Sequence, residues 1–147
     1  MCGISILISS KGREVFPEQI KGMTDLVRHR GPDDEGFYFG KNFAFGHRRL
    51  SIIDLSKAGH QPMQRGQLWI TFNGEIYNYI EIRDELKLRG YCFSTATDSE
   101  VILAAYEAWG VDAFARFNGM WSFAVFDERR DEIIFSRDHF GIKPMYF

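Results

Sequence analysis

Cysteine stands at position 2, directly behind Met1, and begins the apolar run Cys2-Gly3-Ile4-Ser5-Ile6-Leu7-Ile8, which reads as a buried strand. With Met1 removed, this cysteine carries a thiol and a free α-amine on the same carbon, a nucleophile and a base in one residue. The amine titrates at about 7.7–8.0 and the thiol at about 8.5, so one can take the other's proton near neutral pH. Inside a peptide bond the same nitrogen cannot act as a base. Position 2 is also compatible with an ordinary buried cysteine, so other residues must decide.

An amide-cleaving thiol needs donors for the oxyanion and groups that hold its substrate. Asn73-Gly74-Glu75 follows the apolar run Leu68–Phe72 and sets an amide, an unhindered N–H and a carboxylate at a strand end. Asn-Gly is also the commonest hairpin dipeptide, so a β-turn is the competing reading. Arg48 and Arg49 could grip a carboxylate in a fork, or lie solvated on the surface. Asp98 could receive an ammonium group, or serve as an acidic residue in a helix's first turn. His29, His47, His60 and His139 leave open a Cys–His couple with Cys2 or Cys92, and no spacing singles one of them out.

The elements that must position these groups read as α+β. A first helix is predicted over 17–29, with an apolar stripe of Ile20, Met23, Leu26 and Val27. Strands are predicted at 37–39, 43–47, 50–53 and 68–72, in a mostly antiparallel sheet. A second helix over 79–89 carries Ile82, Leu86 and Leu88 and stops at Gly90. Thr97-Asp98-Ser99-Glu100 forms a capping box ahead of Val101, Ile102, Ala105, Tyr106 and Trp109, with Gly110 as the stop. One further helical turn is expected over 112–116, and a hairpin pairs 120–126 with 132–136 across Asp127–Asp131. Ser9-Ser10-Lys11-Gly12 reads as a polar turn. Gly141–Phe147 runs into apolar residues with no stop, which predicts that the chain enters another strand and belongs to a longer polypeptide.

The composition suits one folded domain with an aromatic core: 147 residues, 45% hydrophobic, 14 of them Phe. A net charge of −2 and the lack of a basic run argue against nucleic acid or an anionic membrane as partner. Two separated cysteines suggest neither a disulfide scaffold nor a zinc site, and a reducing cytoplasm fits them best. No phosphate-binding glycine loop, signal peptide or membrane-length apolar run is present.

Seven segments occur together in order: Cys2-Gly3-Ile4, His29–Asp33, Gly46–Asp54, Asn73–Asn78, Thr97–Glu100, Gly119–Ala124 and Arg137–Gly141. Over essentially its whole length the chain resembles the N-terminal glutaminase domain of glutamine-hydrolysing asparagine synthetases, a class II glutamine amidotransferase of the N-terminal-nucleophile type. The resemblance implies a four-layer αββα sandwich, cut short at its C-terminal end, over residues 1–147. It implies Cys2 as nucleophile with its own α-amine as base, and Asn73 and Gly74 as the oxyanion hole. Arg49 would hold the glutamine α-carboxylate, Glu75 and Asp98 the α-ammonium, Ile52 and Ile53 would line the pocket through their backbone, and Arg30 would shape its edge. No cofactor is implied for this domain; ATP and Mg belong to a synthetase domain absent from the chain. That domain is the implied partner beside glutamine, a homodimer is compatible with the reading, and an ammonia donor for another amidation or a non-catalytic scaffold are the alternatives.

Overall fold

The computed structural model describes residues 1–10 and 12–147; Lys11, in the predicted polar turn, lies outside the described residues. Two antiparallel sheets stack with helices on both outer faces. Strands β1 (Gly3–Ile8), β2 (Asp34–Phe39) and β3 (Phe43–Arg49) form one sheet in the order β1-β3-β2. Strands β4 (Met63–Arg65), β5 (Leu68–Ile76), β6 (Gly119–Asp127) and β7 (Glu132–Arg137) form the other, in sequence order. Helix α1 (Pro17–Leu26) covers the first sheet; α2 (Tyr79–Leu88) and α3 (Asp98–Trp109) cover the second. The layering is αββα, as the resemblance implies.

Strand alternation builds the layers. In β5, Leu68, Ile70, Phe72 and Ile76 point to α2 and α3 and join the largest core with Val101, Ile102, Ala105 and Trp121. Trp69 points the other way, into an aromatic layer between the sheets, where Tyr38 stacks on it at 4.2 Å and Phe43 meets Phe126 edge-on at 4.6 Å. Glu128 ties this layer off by accepting from Trp69 Nε1 at 2.9 Å.

The helices begin and end for local reasons. Pro17 occupies the first turn of α1, and the Gln19 side chain accepts from the Phe16 N–H. Thr97 caps α3 by accepting from the Glu100 N–H at 3.2 Å. The Glu100 carboxylate does not close the predicted box. It reaches further upstream, to the N–H groups of Ser94 and Thr95 at 2.9 and 2.7 Å. Gly110 ends α3 at φ 62°, a left-handed conformation that side chains resist, and a 3₁₀ helix follows over Gly110–Arg116.

Four expectations are corrected. The α1 stripe is narrower than predicted: Ile20 and Thr24 are buried, whereas Leu26 is 80% exposed. In α2, likewise, Ile82 and Leu86 are buried and Leu88 is not. Residues 50–53 form a loop, because their main-chain donors go to side chains: Leu50 N–H to Cys2 Sγ and Ser51 N–H to the Asp33 carboxylate. Residues 141–147 form no strand here, and the short β4 was not predicted.

Candidate active site

Cys2 precedes β1 at the edge of the first sheet, and Asn73 and Gly74 lie inside β5 of the second. Asn-Gly is therefore not a turn; it is paired strand, opposite Ser122 and Trp121 of β6. The register of β5 explains why the site is here. In an antiparallel strand, alternate residues turn both backbone groups to the same side. Tyr77 N–H bonds the Asn118 carbonyl on the β6 side, so Phe72, Gly74 and Ile76 present their N–H groups to the opposite edge. Strand β4 pairs only as far as Ile70, leaving that edge open.

Side chains close two of the three open positions. Phe72 N–H donates to Gln61 Oε1 at 2.7 Å, and Ile76 N–H donates to Asp98 Oδ2 at 3.1 Å. Between them Gly74 N–H faces the recess with no partner among the described residues. Its strand partner agrees with this parity, since Trp121 N–H turns away from β5 to Asp138 Oδ2 at 3.1 Å. Glycine is demanded here because a Cβ would lie 2.2 Å from the Met120 carbonyl oxygen and 2.7 Å from Trp121 Cα, both backbone atoms. Gly74→Ala is expected to push β5 off β6, cost about 1–3 kcal/mol of stability, and lower activity at least tenfold; a denaturant melt and a glutaminase assay check both.

Around this donor the recess gathers Cys2, Arg49, Ile52, Ile53, Asn73, Glu75 and Asp98, all but one of the expected site residues. Arg30 is the exception. It lines the neighbouring groove and reaches Cys2 only by donating from Nε to the Cys2 carbonyl at 3.1 Å. Arg49 is buried at the end of β3, and its guanidinium donates to the Asp54 and Ser56 carbonyls. That holds the loop over the recess.

Electrostatics separates the two ends of the recess. Cys2 Sγ accepts from the Leu50 N–H at 3.4 Å and lies 3.7 Å from the Leu50 carbonyl. Burial pushes its thiol pKa up, with the Leu50 N–H, the chain's N-terminal ammonium and Arg49 pulling it back. The thiol therefore needs a proton acceptor, and no imidazole of the described residues bonds it. His60 pairs with Asp34, His139 sits edge-on to Trp121, and Cys92 is exposed. At the other end Asp98 is pushed up to about 6, first by burial and then by the neighbouring Glu75, against the N–H groups of Ile76 and its own helix start.

The sequence reading missed Gln61, and it offered His47 only as one of four candidate imidazoles for a cysteine. Gln61 also donates from Nε2 to Ser99 Oγ at 3.1 Å, so it ties β5 to α3. His47 is fully buried between the sheets with Nε2 3.0 Å from the Phe72 carbonyl, and burial lowers its pKa to about 4. A neutral imidazole thus donates to Phe72, whose peptide groups are held from two sides next to Asn73. An apolar alternation with histidine at one inward position, Phe45-Gly46-His47, was the available signal. Among the described residues no cluster of acidic, histidine and cysteine side chains could hold a metal ion, and no helix is long and apolar enough to cross a membrane.

The model of the glutamine amidotransferase domain matches residues 1–147. This chain belongs to the glutamine amidotransferase domain family. Asparagine synthetase [glutamine-hydrolyzing] 1 of Bacillus subtilis is 45% identical over 88% of the chain, and asparagine synthetase [glutamine-hydrolyzing] 3 of the same organism is 38% identical over all of it. The chain spans 21% and 25% of those two relatives. A solved glutamine phosphoribosylpyrophosphate amidotransferase from B. subtilis superposes with a TM-score of 0.80, covering 98% of this chain and 38% of that one at 20% identity. This last likeness concerns the fold, and it agrees with the αββα layering of the amidotransferase domain described above.

Proposed function

We propose that this amidotransferase domain hydrolyses glutamine to glutamate and ammonia through a thioester on Cys2, and that the ammonia serves an ATP-dependent synthetase domain that makes asparagine. The observation that carries the reading is the unpartnered Gly74 N–H, facing a recess that also contains the Cys2 thiol and, beyond it, Arg49 and Asp98. Arg49 and the carboxylates Glu75 and Asp98 are suited to an amino acid's two charged ends, leaving its side-chain amide toward the thiol. The reading needs no cofactor in this domain and a reducing compartment for the free Cys2 thiol.

In the reaction the Cys2 sulfur adds to the side-chain carbonyl carbon of glutamine as its proton passes to the α-amine. Gly74 N–H and the Asn73 side-chain amide donate to the oxyanion. Collapse expels the amide nitrogen, which takes that proton and leaves as ammonia. Water then adds to the γ-glutamyl thioester and releases glutamate and the thiol. Met1 blocks this sequence twice, by tying the Cys2 nitrogen into a peptide and by placing its own side chain in the recess.

A coupled assay of glutamate and ammonia tests the reading. The Met1-processed protein is expected to release the two in equal amounts, and protein retaining Met1 to release neither. Equal rates from both forms would remove the α-amine from the mechanism. Arg49→Lys keeps a charge but loses the fork that spans two carbonyls. It is expected to raise KM for glutamine about tenfold with a smaller change in kcat, as steady-state kinetics would measure.

A further inference from the structure

Lys143 is only 3% exposed, yet its ammonium forms no ion pair with a described carboxylate. It lines the same recess as Cys2, and the ammonium's one hydrogen-bond partner among the described residues is the thioether of Met1, the residue whose removal the proposed function requires. A buried ammonium without a counter-charge is costly, and lysine is normally found at the surface. The chain nevertheless builds a dedicated support for it. Asp138 accepts from the N–H groups of Trp121, Phe140, Ile142 and Lys143, and Arg137 Nε donates to the Lys143 carbonyl at 2.7 Å. This fixes the backbone from which the side chain enters the site.

We propose that Lys143 tunes the N-terminal nucleophile: with Met1 gone, its ammonium faces the Cys2 thiol and α-amine and lowers the pH at which that couple loses its first proton. The inference rests on the glutamine-hydrolysis reading. A thiol beside a protonated amine is inert, and the competent couple holds one proton fewer. The two groups titrate together, so the effect belongs to the pair. A nearby positive charge favours the form with fewer protons. Arg49 and the N-terminal ammonium already act on the thiol in this direction, against its burial.

Other charged groups face the couple from each neighbouring element. Arg30 approaches from the 3₁₀ turn Arg28–Arg30, Arg49 from β3, Glu75 from β5 and Asp98 from the start of α3. Arg30 and Arg49 are engaged with backbone carbonyls, and the two carboxylates belong to the end of the recess assigned to the substrate's ammonium. Lys143 is the cation whose ammonium loses, with Met1, its one hydrogen-bond partner among the described residues.

The test is the pH dependence of kcat/KM for the Met1-processed wild type, Lys143→Arg, Lys143→Met and Lys143→Gln. The rate of Cys2 alkylation by neutral iodoacetamide is followed across the same range. The acid limb of both profiles is expected to move up by about one pH unit in the Met and Gln variants and to stay near wild type in Lys143→Arg. Whichever neutral variant melts cooperatively decides the matter. Superimposable profiles from a folded neutral variant would overturn the role of Lys143 while leaving glutamine hydrolysis intact. A processed wild type that neither hydrolyses glutamine nor alkylates would remove the underlying reading as well.

Discussion

Replacing Cys2 by alanine is expected to lower glutamine hydrolysis at least a thousandfold while the melting transition stays within about a degree of wild type. Cys2 lies outside the hydrophobic clusters, and its sulfur is hydrogen-bonded to the Leu50 backbone, so little of the core packing is lost. The nucleophile, by contrast, has no substitute. Residual rates in such variants come from the remaining oxyanion donors and substrate binding. Cys2→Ser separates chemistry from shape further, since a hydroxyl fits the same space but is far less acidic than a thiol. Full turnover in Cys2→Ala, with Met1 removed, would defeat the mechanism.

Asp98→Asn carries the second large effect, and it acts in opposite directions on binding and on stability. The side chain is 5% exposed, and its pKa rises from 3.8 to about 6 on folding, so the native state holds this proton more tightly than the unfolded chain. Its contribution is therefore most favourable below pH 4 and is lost as the pH rises through 6. About two units correspond to a cost on the order of 3 kcal/mol at pH 8, at about 1.4 kcal/mol per unit. Asparagine carries no charge and can still accept from the Ile76 N–H. The free Asp98→Asn protein is thus expected to gain up to ~3 kcal/mol over wild type at pH 8 and nothing at pH 3. His47, held neutral with its pKa near 4, imposes the opposite slope through the same window. The difference between variant and wild-type denaturation curves across pH is therefore the informative quantity.

The same variant is expected to raise the glutamine KM about 10- to 100-fold, the worth of a charge-assisted hydrogen bond to the α-ammonium. A wild-type KM combined with the stability gain would leave Asp98 as a helix-start residue that binds nothing.

How far these residues were legible in the sequence follows from how local their signals are. Cys2, the Thr97 cap and the Gly110 stop are each stated within a few residues, and the helices and the final hairpin follow the apolar periods. The position of Asn73 and Gly74 was not legible locally. Asn-Gly has a strong turn preference, and only the pairing of nine residues of β5 with β6 overrides it. Leu50–Ile53 misled for the converse reason. Its residues favour a strand, but the Cys2 sulfur and the Asp33 carboxylate take its N–H groups, and both are remote in sequence. Gln61 and Lys143 have no local signature, and His47 has only its place in the apolar alternation Phe45-Gly46-His47. Each matters through a partner remote in sequence that only the tertiary fold brings near.

The central claim is that Cys2, freed of Met1, is the nucleophile of a glutamine recess. The most direct measurement is intact mass after mixing the Met1-processed protein with 6-diazo-5-oxo-L-norleucine, a glutamine analogue that alkylates such thiols. One adduct, mapped to Cys2 and suppressed by excess glutamine, is the expected result. A processed, folded protein that takes no label, or takes it at Cys92, would contradict the claim.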